Sequence, residues 1–543
     1  MKKTIKKNIM LCLSLLLALM LQGCSSAPTD TWGSTESTPP LARSEQPEPS
    51  TPSTNAPSFA AQPPDSLYPN EESDYFIPHS DAEYLTINEN RLVPTAENSL
   101  LTFSLKVDTA SYRNVVRYIE SGSLPPADAV RIEEMINYFY YEQPLAANDT
   151  PFSIYTELGP SPFSADRHLA FVRVKSKDID MEEFPPSNLT FLIDVSGSMN
   201  SYERLPLLKS AFGLLVETLG YQDTVSIVTY ASGTSVALDS ARGSEKKKIM
   251  DVINGLKAGG STAGAGGIQA AYRLAEQNFV PGGNNRVILA TDGDFNVGVS
   301  SVEELESLIS EKRGTGVYLS VLGVGTDNLK DNKMETLAKN GNGNYSYLDS
   351  VATAKKVLVD ELAANLFVIA DDVKAQVEFN PALVSDYRLI GYENRQLANR
   401  DFTDDTKDAG EIGVGTDVVL MFELTLKNSS GLKYGGNTIE EDLGAYGDEF
   451  FEVRIRYKNP GASVSQQITV PVKTDRLLPV NTGDFNFASS VAAFGHLLRN
   501  SQYRGDVELA KIIEVAEGNM GLDEGKLRRE FTQILKKYQN IHR

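Results

Sequence analysis

Leu189-Thr190-Phe191-Leu192-Ile193-Asp194-Val195-Ser196-Gly197-Ser198 is the stretch on which the fold turns. Its first five residues are a nearly continuous apolar run, the pattern of a parallel strand covered on both faces. The run ends on a carboxylate and passes into a turn of hydroxyls and small residues. Downstream, Leu205, Leu208, Phe212, Leu215, Val216 and Leu219 recur at helical spacing. Val225 to Tyr230 reads as the next strand, Ser244 to Leu256 as a helix and Gly266 to Gln277 as another. Arg286 to Ala290 is again a strand, followed by helix Val302 to Lys312 and strand Val317 to Val324. A short helix at Met334 to Lys339, a short strand at Asn344 to Leu348 and a helix at Thr353 to Leu366 complete the series. This alternation predicts an α/β domain over 188–366, a doubly wound and mostly parallel sheet with right-handed crossovers.

On either side the pattern changes. Residues 367–480 show strands alone, at Val373 to Phe379, Asp417 to Leu426, Phe450 to Tyr457 and Ser465 to Val472, which predicts an accessory β-sandwich. Within 151–187, Phe152 to Tyr155 and His168 to Val174 alternate like strands. Neither segment has enough strands to bury two faces by itself. The expectation is one sandwich built from both, with the α/β domain inserted between them. Residues 481–543 read as helices, at Phe487 to Leu498, Val507 to Glu517 and Gly525 to Tyr538. Residues 67–150 read as a helical subdomain, with helices at Ala110 to Ile119 and Arg131 to Phe139. The second places Ile132, Met135, Ile136 and Phe139 on one face. No internal repeat is visible.

The N-terminus reads as an address. Lys2, Lys3, Lys6 and Lys7 precede an apolar run from Ile9 to Leu21, within the length of a signal-peptide core and short for a membrane span. The run ends in Leu21-Gln22-Gly23-Cys24, which resembles the lipobox of bacterial lipoproteins. That resemblance implies cleavage after residue 23, lipidation of Cys24 and display on the extracytoplasmic side of the cell envelope. Residues 24–66 are rich in Ser, Thr and Pro and too poor in large apolar groups to offset chain entropy. They read as a disordered tether with an end-to-end distance of about 35 Å.

Composition narrows the function. The chain has 543 residues, a formal net charge of −21 and a pI near 4.8. Nucleic acid is excluded as a partner, because its binders need a basic face to displace counterions. Cys12 and Cys24 are the two cysteines, so the folded part holds no disulfide and no thiolate metal site. His79, His168, His496 and His542 lack zinc-ligand spacing.

In an open doubly wound sheet, ligands bind outside the carboxyl ends of the strands, near the switch point. The residues at those ends are Asp194, Ser196 and Ser198 after one strand and Thr291-Asp292-Gly293-Asp294 after another. Thr262 stands between them, in Gly259-Gly260-Ser261-Thr262-Ala263-Gly264 at the mouth of a helix. All are hard oxygen donors, without His or Cys. Such a set suits Mg²⁺, with Mn²⁺ or Ca²⁺ as alternatives. The plainer reading makes Asp194 and Ser196 turn and helix-cap residues. Asp294 is either a second-layer group around the ion or a solvated turn acid.

Asp-x-Ser-x-Ser, a later Thr and a later Thr-Asp-Gly resemble the metal-ion-dependent adhesion site of von Willebrand factor type A domains. The resemblance implies direct ligation by Ser196, Ser198 and often Thr262, with Asp194 and Asp292 direct or through water. It also implies a carboxylate from a protein partner completing the coordination. Asp128 to Tyr138, Arg204-Leu205-Pro206-Leu207-Leu208, Ala290 to Gly298, Asn340 to Tyr347 and Phe487 to Gly495 resemble the YfbK-type lipoproteins of bacteria. That resemblance spans about residues 80–543.

Enzymatic readings fare worse. A haloacid-dehalogenase-type phosphatase wants a second Asp where Ser196 stands. A serine hydrolase needs Gly-x-Ser-x-Gly and a usable His. The glycine-rich 259–267 stretch lacks the lysine of a phosphate loop. Two readings therefore remain: a metal-dependent binding protein, or a structural or envelope-assembly protein in which the metal only stabilises the domain.

Overall fold

A computed structural model describes residues 82–541 apart from positions 107, 143–149, 180–182, 263, 294–301, 327–328, 408 and 428–446. Residues 1–23, the tether, Cys24 and Asp294 lie outside the described residues. Among the described residues no helix is long and apolar enough to cross a membrane.

The α/β domain is built on a six-stranded sheet. Its order is Tyr345–Tyr347, Tyr318–Gly323, Asn284–Thr291, Ser187–Asp194, Thr224–Tyr230 and Thr234–Arg242. The first five strands run parallel and the last is antiparallel. Alternation along Ser187–Asp194 fills two cores. Leu189, Phe191 and Ile193 join one with the Leu205–Thr218 helix. Leu192 joins the other with Ile268 and Tyr272 of the Gly264–Gln277 helix. The chain first winds outward from Ser187–Asp194 to one side, then returns to its other side at Asn284–Thr291. That reversal is the switch point at which α/β sheets bind ligands.

Two further sheets pack as a sandwich around one apolar core. One has the order Val93–Pro94, Val384–Ile390, Asp417–Leu426, His168–Ser176 and Phe152–Pro160. The other has the order Gln396–Leu397, Leu100–Ser104, Val368–Phe379, Glu449–Lys458 and Ser465–Lys473, with Gly410–Gly413 also pairing Val368–Phe379. The strands before and after the α/β domain thus share a sheet, Val172 lying opposite Leu420. The first sheet is buried on both faces. Ala170, Val172 and Val174 face the sandwich core, while Leu169 and Phe171 join the helical cluster. That cluster combines Ala110–Glu120 and Ile132–Ile136 with Gly483–Leu498, Leu509–Gly518 and Leu527–Ile541.

Several details depart from the sequence reading, among them the sandwich strand Val384–Ile390, which was not expected. Residues 67–150 are not helical throughout, because Leu100–Ser104 is a sandwich strand. The helix expected over 131–139 stops at Ile136. There Asn137 donates to the carbonyls of Glu133 and Val419 and accepts from the Val419 amide, tying the turn to the sheet. The helix expected over 353–366 is three pieces, with a π turn at Lys356–Asp360. Lys356 lies over the Tyr138 and Tyr140 rings, 4.6 and 5.0 Å from their centroids, and pairs with Glu361. The antiparallel strand Thr234–Arg242 was not expected, because it buries only Leu238 and Ala241.

A buried ionic network clamps the α/β domain to its neighbours. Arg131, ahead of Ile132–Ile136, bonds Glu134 at 2.6 Å and Asp331 at 2.7 Å, with Glu335 at 3.7 Å. Asp331 and Glu335 belong to the Asp331–Asn340 helix of the α/β domain. From the sandwich side Arg395 bonds Asp108 at 2.7 Å and approaches Glu335 at 3.8 Å. Burial pushes the Glu134 carboxyl up to about 8, against the pull of Arg131.

Candidate metal-binding site

The site forms where Ser187–Asp194 and Asn284–Thr291 end side by side, with Ile193 opposite Ala290. The next residue of each strand therefore faces the other. Thr291 donates from its hydroxyl to Asp194 Oδ2 at 3.1 Å. Asp194 Oδ1 accepts the Ser196 amide at 2.8 Å, closing the turn out of the strand. The turn brings the Ser196 and Ser198 hydroxyls within 3.1 Å of each other. Asp194 and Asp292 are both 0% exposed.

The loop carrying Thr262 is pinned to the same turn. Gly197 donates to the Gly260 carbonyl at 2.9 Å, and Gly259 donates to the Val195 carbonyl at 2.8 Å. Gly260 has φ +87°, and a Cβ there would meet Ser232 Oγ at 2.5 Å. Only glycine fits this close crossing without strain. Thr262 follows two residues later, buried, just ahead of the Gly264–Gln277 helix. The five residues singled out in the sequence, Asp194, Ser196, Ser198, Thr262 and Asp292, thus come from three loops at one end of the sheet.

Electrostatics here are unbalanced. Burial pushes the Asp194 carboxyl up to about 6; hydrogen bonds from Ser196 pull it down, and the charge of Asp292 adds to the rise. Below it, burial and the Asp194 charge hold the Tyr230 phenol well above its ordinary value. The Arg204 guanidinium stands 3.7 Å from Asp292 and donates to the Ser198 carbonyl. It packs on Gly325, where a Cβ would come within 2.5 Å of Arg204 Nε. Arg204 and Tyr230 are site residues that sequence reasoning assigned no role, and Thr291, read there only as part of the strand-end motif, proves to hold Asp194. The signal for Thr291 and Tyr230 was their place at the ends of strands; nothing local marked Arg204 as facing Asp292.

Two buried carboxylates and neighbouring hydroxyls make a donor set for a hard divalent cation, which would offset the charge that burial disfavours. Among the described residues no group of three or more His, Cys, Asp or Glu is placed to hold a metal ion. The set is one of hydroxyls as much as carboxylates.

Residues 188–360 match the model of the von Willebrand factor type A domain. Residues 364–541 match the model described as Uncharacterized protein YfbK, C-terminal, and 78–171 match one described as von Willebrand factor. Over 468 residues the chain is 43% identical to Uncharacterized protein YfbK of Escherichia coli (strain K12), covering 84% of this chain and 80% of that one. The chain belongs to the YfbK family of von Willebrand factor type A domain proteins. This YfbK-family chain is also 27% identical over 166 residues to inter-alpha-trypsin inhibitor heavy chain H3 of Bos taurus, 29% of this chain and 18% of that one. A solved structure, von Willebrand factor type A from Catenulispora acidiphila, is similar with 16% identity and a TM-score of 0.42, covering 70% of this chain and 89% of that one. Von Willebrand factor type A domains are in general protein–protein interaction modules.

Proposed function

We propose that this chain is a lipid-anchored protein of the bacterial cell envelope whose von Willebrand factor type A domain binds a protein partner through a divalent cation. Mg²⁺ is the preferred ion, with Mn²⁺ or Ca²⁺ as alternatives. Ser196, Ser198 and Thr262 would hold it directly, and Asp194 and Asp292 directly or through water. The bound cation would supply the positive charge to which a carboxylate of the partner is drawn. Asp294 is proposed as a second-layer acid. No catalytic role is assigned to any residue.

The observation that carries this reading is the buried pair Asp194 and Asp292 beside two hydroxyls 3.1 Å apart. Turn and cap roles account for the Ser196 amide and the Thr291 hydroxyl. Arg204 stands 3.7 Å from Asp292, but turn and cap roles give no reason to bury the second carboxylate, Asp194, at a strand end where its ionisation is disfavoured.

Thr262→Ala tests the ligand set. It removes one hydroxyl and is expected to weaken Mg²⁺ binding at least threefold by calorimetry, while chemical unfolding in chelator changes by less than about 1 kcal/mol. Unchanged Mg²⁺ affinity removes Thr262 from the set. The anchor is tested separately. The signal-like segment ending in Gly23-Cys24 motivates Cys24→Ala. That variant is expected to leave the membrane fraction or stay unprocessed when cells are fractionated. Processing and membrane retention equal to wild type would remove the anchor.

A further inference from the structure

Two buried carboxylates and one divalent cation sum to no net charge. A site so balanced can hold its ion, but it has no surplus charge with which to attract a carboxylate from a partner. Arg204 supplies the surplus. It is buried, 6% exposed, and its guanidinium joins Asp194 and Asp292 as a third buried charge. Lys330 also touches this loop. Its amide donates to the Asp292 carbonyl, but its ammonium turns to Glu83 at 2.8 Å.

Arg204 is fixed where it stands. It immediately precedes the Leu205–Thr218 helix, which packs on Ser187–Asp194. Its guanidinium donates to the Ser198 carbonyl, in the turn that carries the Ser196 and Ser198 hydroxyls. Gly325, at φ +92°, makes the room: a Cβ there would come within 2.5 Å of Nε and 3.3 Å of Cζ. From this place Nη1 stands 3.7 Å from Asp292 Oδ2. That is close for two opposite charges and too long for a hydrogen bond. The guanidinium therefore acts on Asp292 as a charge and does not replace a ligand. Burial also keeps it from gripping a partner directly, so it acts through its field.

We propose that Arg204 makes the metal site selective for an anionic ligand, and that it does so by weakening the hold on the metal itself. This rests on the metal-site reading given above. With Asp194, Asp292, the guanidinium and a divalent cation, the buried charges sum to one positive unit, which one carboxylate brings to zero. A neutral oxygen ligand gains nothing from that surplus. The same guanidinium repels the incoming cation, so the site binds the ion weakly alone and more tightly when an acid is present. The two effects are halves of one coupling, which is reciprocal.

The test is calorimetry of Mg²⁺ binding to the full chain after chelator treatment, in chloride, in acetate of equal ionic strength, and in chloride with acetamide. The same solutions serve wild type, Arg204→Gln and Arg204→Lys, so binding of Mg²⁺ by acetate itself cancels. Wild type is expected to bind Mg²⁺ about threefold or more tightly in acetate than in chloride, with no change in acetamide. Arg204→Gln should bind Mg²⁺ in chloride about tenfold or more tightly than wild type, and should lose the acetate effect. Loss of a merely structural arginine would have the opposite sign. Arg204→Lys keeps the charge and should keep the acetate effect. Should Arg204→Gln fail to fold, Gly325→Ala is measured in its place: its Cβ displaces the guanidinium, and the same two changes are expected in smaller size. Wild-type Mg²⁺ binding that acetate leaves unchanged, or a variant that binds Mg²⁺ no more tightly than wild type, overturns the role of Arg204 and leaves the metal reading standing. No Mg²⁺ binding by wild type in any of the solutions contradicts the metal reading and the proposal with it.

Discussion

In chelator at pH 7.5, Asp194→Asn is expected to raise the midpoint of thermal unfolding by about 2–5 °C. The carboxyl is held at about 6 against an ordinary 3.8, which makes its ionised form cost about 3 kcal/mol. Asparagine keeps the shape. Its carbonyl still accepts the Ser196 amide, and its amide can donate to the Thr291 hydroxyl. Part of the gain is lost because a neutral acceptor is weaker than a charged one, leaving about 1–2 kcal/mol. The pH dependence follows from the direction of the shift. Between about 4 and 6 the folded state binds a proton at Asp194 that the unfolded chain has released. This contribution to stability is therefore present in acid and is lost as pH rises through 6. The advantage of the Asn variant should shrink towards zero at pH 5. Scanning calorimetry of both proteins in EDTA at pH 5 and 7.5 checks this. An Asn variant less stable than wild type at pH 7.5 would mean that Asp194 is a structural acceptor and that its charge is not disfavoured.

Arg131→Met should have the opposite sign and a larger size. Arg131 is buried, and its guanidinium faces Glu134, Asp331 and Glu335 at 2.6, 2.7 and 3.7 Å. Methionine fills much of the volume but leaves three buried acids facing one another. Breaking one partner out of a buried ion network costs about 3–5 kcal/mol. The loss falls on the junction itself, since Arg131 comes from the N-terminal segment and Asp331 from the α/β domain. Urea unfolding should show the full decrease. Adding Glu134→Gln and Asp331→Asn should restore much of it, because neutral amides need no counterion. A decrease below about 1 kcal/mol for Arg131→Met alone would show that the network is not needed at the seam.

The difference between these two buried acid clusters explains what was legible in the sequence. The parallel strands were readable because both faces are covered, so Leu189 to Ile193 is apolar but for the buried Thr190. Asp194, Ser196, Ser198, Thr262 and Asp292 were readable because the sheet's topology fixes where its strand ends meet. The clamp was not. Arg131, Glu134 and Asp331 carry the composition of a solvated helix face, and only the neighbouring domain makes them core. Arg204 was hidden for the same reason: its role lies in facing Asp292, 88 positions on, at 3.7 Å. Thr234–Arg242 was missed because an edge strand open to solvent needs no apolar alternation, and it shows none beyond Leu238 and Ala241. Helix ends at Asn137 and Lys356 were set by contacts from Val419 and from Tyr138 and Tyr140, which no local pattern records.

These loops are proposed to form a divalent-cation site dependent on Asp194. Titration of Mg²⁺ into chelator-treated full chain at pH 7.5, followed by calorimetry on wild type and Asp194→Asn, tests it most directly. One Mg²⁺ per wild-type chain is expected, with at least a tenfold loss of affinity in the variant. Equal binding by the two proteins, or no binding by wild type, would contradict it.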